Sequence, residues 1–124
     1  MPPDRSDASW RDAALLLDIL LAAEAALSFT AGLDEQAFLL SDLHRSAVIR
    51  KFEVMGEAAG KVSTAFCAAH PEIPWKQMTG LRHRLIHDYG AIRLNIVWRV
   101  ASEMLPGLIA VLRPMIPPET DRDG

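Results

Sequence analysis

Apolar residues recur along this chain at spacings of three and four, and no Val-, Ile- and Thr-rich stretch alternates apolar with polar between turn residues. Helices are therefore the regular elements the sequence supports. Ser6 or Asp7 caps a first helix that runs to about Phe29, short of Gly32. Trp10, Ala13, Ala14, Leu17, Leu20 and Leu21 fall on one side of it, and Leu15, Leu16, Ile19, Ala22 and Ala23 on the other. A helix apolar on both sides must be covered on both sides. In a chain of 124 residues, a second copy is the natural cover.

The remaining elements follow from the same spacing and from their caps. A short helical piece over Asp34–Leu39 leads to Ser41, which caps a long helix predicted over Asp42–Ala69. Its buried stripe is Val48, Phe52, Met55, Ala59, Val62 and Phe66, and Gly56 and Gly60, one turn apart, mark a place where another helix approaches closely. His70-Pro71 ends it, because Pro disfavours helical geometry in the residue before it. Pro74 opens a short helix carrying Trp75, and Gly80 is read as separating that piece from Leu81–Tyr89, which Gly90 closes. The last stripe is Leu94, Val97, Trp98, Ala101, Leu105, Leu108, Ile109 and Leu112. Its phase survives Pro106, which predicts a kink or brief break there. Pro114, Pro117 and Pro118 stop it. The expected organisation is a flexible N-terminus over 1–6, one helical domain over 7–113 and a flexible tail over 114–124.

Half the residues are apolar and 23% are charged, the balance of one globular domain with a single core. Cys67 is the only cysteine, so no intrachain disulfide forms, and its place beside Phe66 reads as small buried filler. Met1–Asp7 has none of the marks of a signal peptide, and the cytoplasm is the expected compartment. The most apolar stretch, Ala13–Phe29, is interrupted by Asp18 and Glu24 and is shorter than the roughly 20 residues a membrane span needs, so no membrane association is expected. A net charge of −3 argues against a general nucleic-acid coat protein. The charge is uneven, however: Lys76, Arg82, Arg84, Arg93 and Arg99 outweigh Glu72 and Asp88 over residues 71–100.

The densest chemistry lies in Arg82-His83-Arg84-Leu85-Ile86-His87-Asp88-Tyr89. On a helix, His83 and His87 share a face, whereas Arg82 and His87 stand roughly 140° apart. A second subunit could supply the missing half. Histidine exchanges protons near neutral pH, and arginine offers a permanent planar donor fork to a phosphate whose charge grows in a transition state. That pairing suits phosphodiester cleavage without metal, since the RNA 2′-OH is an internal nucleophile. Two other readings stay open on the residues alone: a solvated surface helix, and a metal site using His83 and His87 with Asp88 or His70. A catalytic zinc site would want three protein ligands, and no Cys pair or His-Glu-x-x-His arrangement accompanies these. No Gly-rich phosphate loop follows a strand.

At this segment the chain resembles the HepT-like toxins of the HEPN ribonuclease superfamily, whose signature is Arg, four residues, His, one residue, Tyr. Here those positions are Arg82, His87 and Tyr89. Where the family most often has Asn after the Arg, this chain has His83, whose role the resemblance does not define. Ala47–Ala59, Pro71–Trp75 and Ile96–Trp98 also look like family segments in the family's order, so the likeness spans roughly Asp12 to Leu112.

The resemblance implies an all-α, up-and-down, HEPN-like bundle of about four to five helices that dimerises and places two motifs at a shared cleft. It implies Arg82 and His87 as catalytic residues, His83 as a supporting polar group, and no cofactor or metal. It further implies a toxin with a nucleotidyltransferase antitoxin of the MntA type, which transfers AMP to the motif tyrosine, here Tyr89. The reading is thus a metal-independent endoribonuclease acting on RNA. Its rival is a non-catalytic subunit that binds a nucleotidyltransferase.

Overall fold

A computed structural model describes residues 7–87 and 94–116, with side chains described over 10–85 and 94–116. Residues 1–6, 88–93 and 117–124 lie outside the described residues, and with them the expected N-terminus, most of the tail expected over 114–124, and Asp88, Tyr89, Gly90 and Arg93. The described residues are all-α, as the spacing predicts, and contain no strand. The helices are α1 (Asp7–Ser28), α2 (Glu35–Leu40), α3 (Asp42–Lys61), α4 (Thr64–Ala69), α5 (Trp75–His87), α6 (Leu94–Arg99) and α7 (Leu105–Leu112).

The local stops act where the sequence puts them. Gly32 adopts φ 80°, a left-handed conformation that suits glycine, and turns the chain after α1. Asp34 caps α2 by accepting from the Ala37 amide at 2.8 Å, and the Ser41 hydroxyl accepts from the His44 amide at 3.2 Å to cap α3.

The long helix predicted over Asp42–Ala69 is two helices. Val62 turns extended (φ −68°, ψ 141°), and Ser63 caps α4 by accepting from the Phe66 amide. What fixes the break is Asp12 on α1, a buried carboxylate that accepts from the Ser63 amide at 2.9 Å and from its hydroxyl at 2.6 Å. The charged acceptor satisfied twice by Ser63, together with the Ser63 cap on the Phe66 amide, offsets the helical bonds lost at the break.

Gly80 does not end a helix, and α5 runs through it without interruption from Trp75 to His87. The physical reason is the buried series Met78, Leu81 and Leu85, which keeps helical spacing across the glycine and anchors both sides to one core. At Pro106 the expected break is a π-helical turn over Val100–Met104, in which the Leu105 amide bonds the Val100 carbonyl. Proline has no amide to offer and its ring crowds the preceding turn, so the register widens just before it. Val97, Ala101, Leu105, Leu108, Ile109 and Leu112 nevertheless form one buried stripe from α6 through α7. The run Leu94–Met115 is long and apolar enough to cross a membrane by length and composition alone, with a mean hydropathy of 1.3, but this stripe is spent on the core.

α3 is the central rod, with α1 packed along it and α5 also packed along it, while α7 lies against α1. One face of α1 (Leu16, Ile19, Leu20, Ala22, Ala23, Ala26) joins Phe52, Met55, Met78 and Leu105 in the core. The other face carries exposed Trp10, Ala14 and Leu21 and half-buried Leu17. Leu20, placed by spacing with the outer set, is buried. Phe38 anchors α2 against α6 through a tilted contact with Trp98, ring centroids 5.3 Å apart. Cys67 sits half-buried on α4, its Sγ 4.0 Å from the Val62 carbonyl.

Candidate active site on helix α5

Arg82 is seated by a glycine on the neighbouring helix. A Cβ at Gly56 of α3 would overlap Arg82 Cβ and come within 2.7 Å of the Met78 carbonyl oxygen. Gly56 is therefore the point of closest approach between α3 and α5, and that approach fixes where the Arg82 side chain leaves its helix. Gly60, one turn on, faces Thr79, with 3.7 Å between a built Cβ and Thr79 Cγ2.

Around this contact lies a shallow depression of about 290 Å³ lined by Gly56, Glu57, Gly60, Lys61, Thr79 and Arg82. Glu57 and Lys61, one turn apart on α3, pair with each other at its edge at 3.5 Å. The Thr79 hydroxyl donates back to the Trp75 carbonyl at 3.2 Å. Half-buried Arg82 has no carboxylate partner among the described residues. Its guanidinium fork is available to an external anion.

His87 is the last residue of α5 and His83 lies one turn before it, so by helical period the two histidines share a side of the helix. His83 is exposed. The structure thus keeps Arg82, His83 and His87 on one unbroken helix, with Arg82 turned to the flank that meets α3. Tyr89 and Asp88 are outside the described residues. Among the described residues, no three His, Cys, Asp or Glu side chains converge, and His70 instead pairs with Glu72 at 3.3 Å on the approach to α5. None of the residues that line the Arg82 depression comes from α1.

The i, i+4 glycines Gly56 and Gly60 signal a close approach in the sequence, but that the approach seats Arg82 and faces Thr79 depends on how α3 and α5 pack.

Comparisons with known proteins identify the family. The family described as "Ribonuclease HepT-like" matches residues 19–115. A protein of Methanocaldococcus jannaschii named as an inferred RNase is 39% identical over 93 residues, 75% of this chain and 85% of its own length. A protein of Thermococcus cleftensis named for ribonuclease HepT is 37% identical over 93 residues, 75% of this chain and 84% of its own length. One from Caldanaerobacter subterraneus, also named as an inferred RNase, is 30% identical over 77 residues, 62% of this chain and 69% of its own length. No solved structure matches the chain. With a family match that takes in α3, α5 and the Arg82 seat between them, the chain belongs to the HepT-like ribonuclease family.

Proposed function

We propose that this protein is a metal-independent endoribonuclease of the cytoplasm, the toxin of a toxin–antitoxin pair, acting through Arg82 and His87. The observation that carries the reading is the seat of Arg82, held by the Gly56 contact on the same helix as His87, its guanidinium without a carboxylate partner among the described residues. In the proposed step the 2′-OH attacks the adjacent phosphorus and the P–O5′ bond breaks, leaving a 2′,3′-cyclic phosphate and a 5′-OH. His87 exchanges the protons at the 2′ and 5′ oxygens, and Arg82 stabilises the charge that grows on the phosphoryl oxygens. His83 lends a polar group beside them. No metal or cofactor is invoked.

Loss of one such group typically costs about 100-fold or more. Arg82→Ala and His87→Ala should each lose cleavage and growth inhibition while keeping the helical fold, and wild-type activity should persist in EDTA. Activity lost on chelation and restored by Zn²⁺ would instead favour a His83/His87 metal site.

We further infer a homodimer. The stripe of exposed Trp10, Ala14 and Leu21 with half-buried Leu17 supports self-association, and exposed Arg11 and Asp18 flank that stripe on one side. An antiparallel pair of α1 helices would set each Arg11 near the partner's Asp18. The antitoxin is read as an MntA-type nucleotidyltransferase that transfers AMP to Tyr89, adding an anion close to the Arg82 charge and competing with RNA phosphate for it.

A further inference from the structure

On the flank of α5 opposite Arg82, a groove of about 620 Å³ opens between α5 and the wall formed by α6 and the π-helical turn. That volume is in the range of about 300–1,000 Å³ usual for small-molecule sites. Leu81, Ile96, Val100 and Met104 make its floor. Exposed Lys76, Arg84 and Arg99 stand on its rim, with Glu103 as the only carboxylate among the lining residues.

Two features separate this groove from an ordinary crease between helices. Its cations are unspent and gathered: Lys76, Arg84 and Arg99 have no carboxylate partner among the described residues, as is true of Arg11, Lys51 and Arg82, but these three stand together around one groove. The second feature is Gly80. It lies in mid-helix, where glycine is unfavourable, yet a Cβ there would meet nothing within 4 Å. Packing requires Gly56; nothing in the packing requires Gly80. What Gly80 does is keep the α5 wall of the groove open.

We propose that this groove is a nucleotide subsite for single-stranded RNA flanking the scissile phosphate, an inference that rests on the ribonuclease reading above. Arg84 and Arg99 take phosphate or stack on a base through their guanidinium planes, Lys76 adds a phosphate contact, and the apolar floor receives the base. Arg82 and Arg84 point to opposite flanks of one helix about 10–12 Å across, so a strand crossing the ridge of α5 engages both with nucleotides close together in sequence. An acidic protein segment would meet the same rim charges, but the groove shares a helix with the Arg82 seat, so a strand placed for cleavage at Arg82 runs past it.

The test uses the full chain carrying His87→Ala to stop turnover, with a short fluorescein-labelled single-stranded RNA of mixed sequence read by anisotropy across a salt series. Gly80→Leu should fill the groove and weaken binding by about tenfold or more, with a melting temperature no lower than its parent's. Arg84→Gln with Arg99→Gln, both at exposed positions, should weaken binding similarly and reduce the salt slope by about 1.4, two single-strand phosphate contacts. RNA affinity and salt slope unchanged in both variants would overturn the proposal. So would unchanged RNA affinity with lost capture of the nucleotidyltransferase, which would make the groove a protein-docking surface. If the wild-type chain cleaves no RNA, the ribonuclease reading has failed and the subsite falls with it. If cleavage is intact and the groove variants are silent, the subsite alone has failed.

Discussion

Gly56→Ala tests whether the α3–α5 contact sets the position of Arg82. The added methyl would overlap Arg82 Cβ and sit 2.7 Å from the Met78 carbonyl oxygen, and that oxygen is backbone within a packed helix. Relief therefore requires the two helices to move apart rather than one side chain to swing. Overpacking of this kind costs about 1–3 kcal/mol, and replacing a mid-helix Gly by Ala returns about 1 kcal/mol. The net is a loss of about 1 kcal/mol, or a fall of roughly 3–5 °C in Tm for a chain of this size. The effect on cleavage should be larger, because a displacement of about 1 Å in a catalytic group can cost about 100-fold. Calorimetry with single-turnover cleavage of a labelled RNA measures both. Gly60→Ala is the internal control, since its Cβ meets Thr79 at an ordinary 3.7 Å and should leave the protein as stable or more so. A Gly56→Ala protein with undiminished Tm and full activity would refute the argument that this glycine seats Arg82.

Asp12→Ala removes the carboxylate that holds the Ser63 amide and hydroxyl, and should cost about 2–3 kcal/mol in urea unfolding; a loss under ~0.5 kcal/mol would mean the α3–α4 break holds without it. Burial, and then the Asp12 carboxylate, push the Cys67 thiol above its ordinary value. Its neutral form is favoured in the folded chain, so that contribution is complete below the unfolded thiol's pKa and is lost as pH rises through the folded one. Iodoacetamide at pH 8 should accordingly alkylate Cys67 more slowly in the native than in the urea-unfolded protein, and equal rates would contradict this. If Arg82 and His87 of different chains form one site, mixing Arg82→Ala with His87→Ala protein should restore about a quarter of wild-type cleavage. A mixture as inactive as its parts would place the site within one chain. Tyr89→Phe should escape AMP addition and growth rescue by the co-expressed nucleotidyltransferase, and adducts mapping to another peptide would make Tyr89 a structural aromatic.

Much of the helical order was legible because it is local. Asp34, Ser41 and Gly32 act on residues within a turn of themselves, and the stripe through Leu105 to Leu112 carries its own period across Pro106. The two misplaced boundaries depend on contacts that spacing does not encode. Val62 and Phe66 keep helical spacing through a point where the helix stops, because the group that stops it, Asp12, comes from 51 residues away. Gly80 carries the mark of a breaker, yet the core holds Met78, Leu81 and Leu85 on either side of it and outweighs a propensity cost of about 1 kcal/mol. The site divides in the same way. The residue types of Arg82 and His87 and their angular offset could be read directly. The seat of Arg82 could not, because it belongs to a pair of helices, and neither could the groove beside Gly80, which exists only where α6 and the π-helical turn stand off from α5.

The central claim, that Arg82 and His87 direct attack by the RNA's own 2′-OH, is tested most directly by the chemistry of the cut ends. Purified wild-type protein is incubated in EDTA with a single-stranded RNA, and the fragments are analysed by mass spectrometry beside those from Arg82→Ala and His87→Ala proteins. The account requires 2′,3′-cyclic phosphate and 5′-hydroxyl ends from wild type, with no product from either variant or from a 2′-deoxy strand. Ends bearing 5′-phosphate and 3′-hydroxyl, formed only when divalent metal is supplied, would show that activated water is the nucleophile and would contradict it.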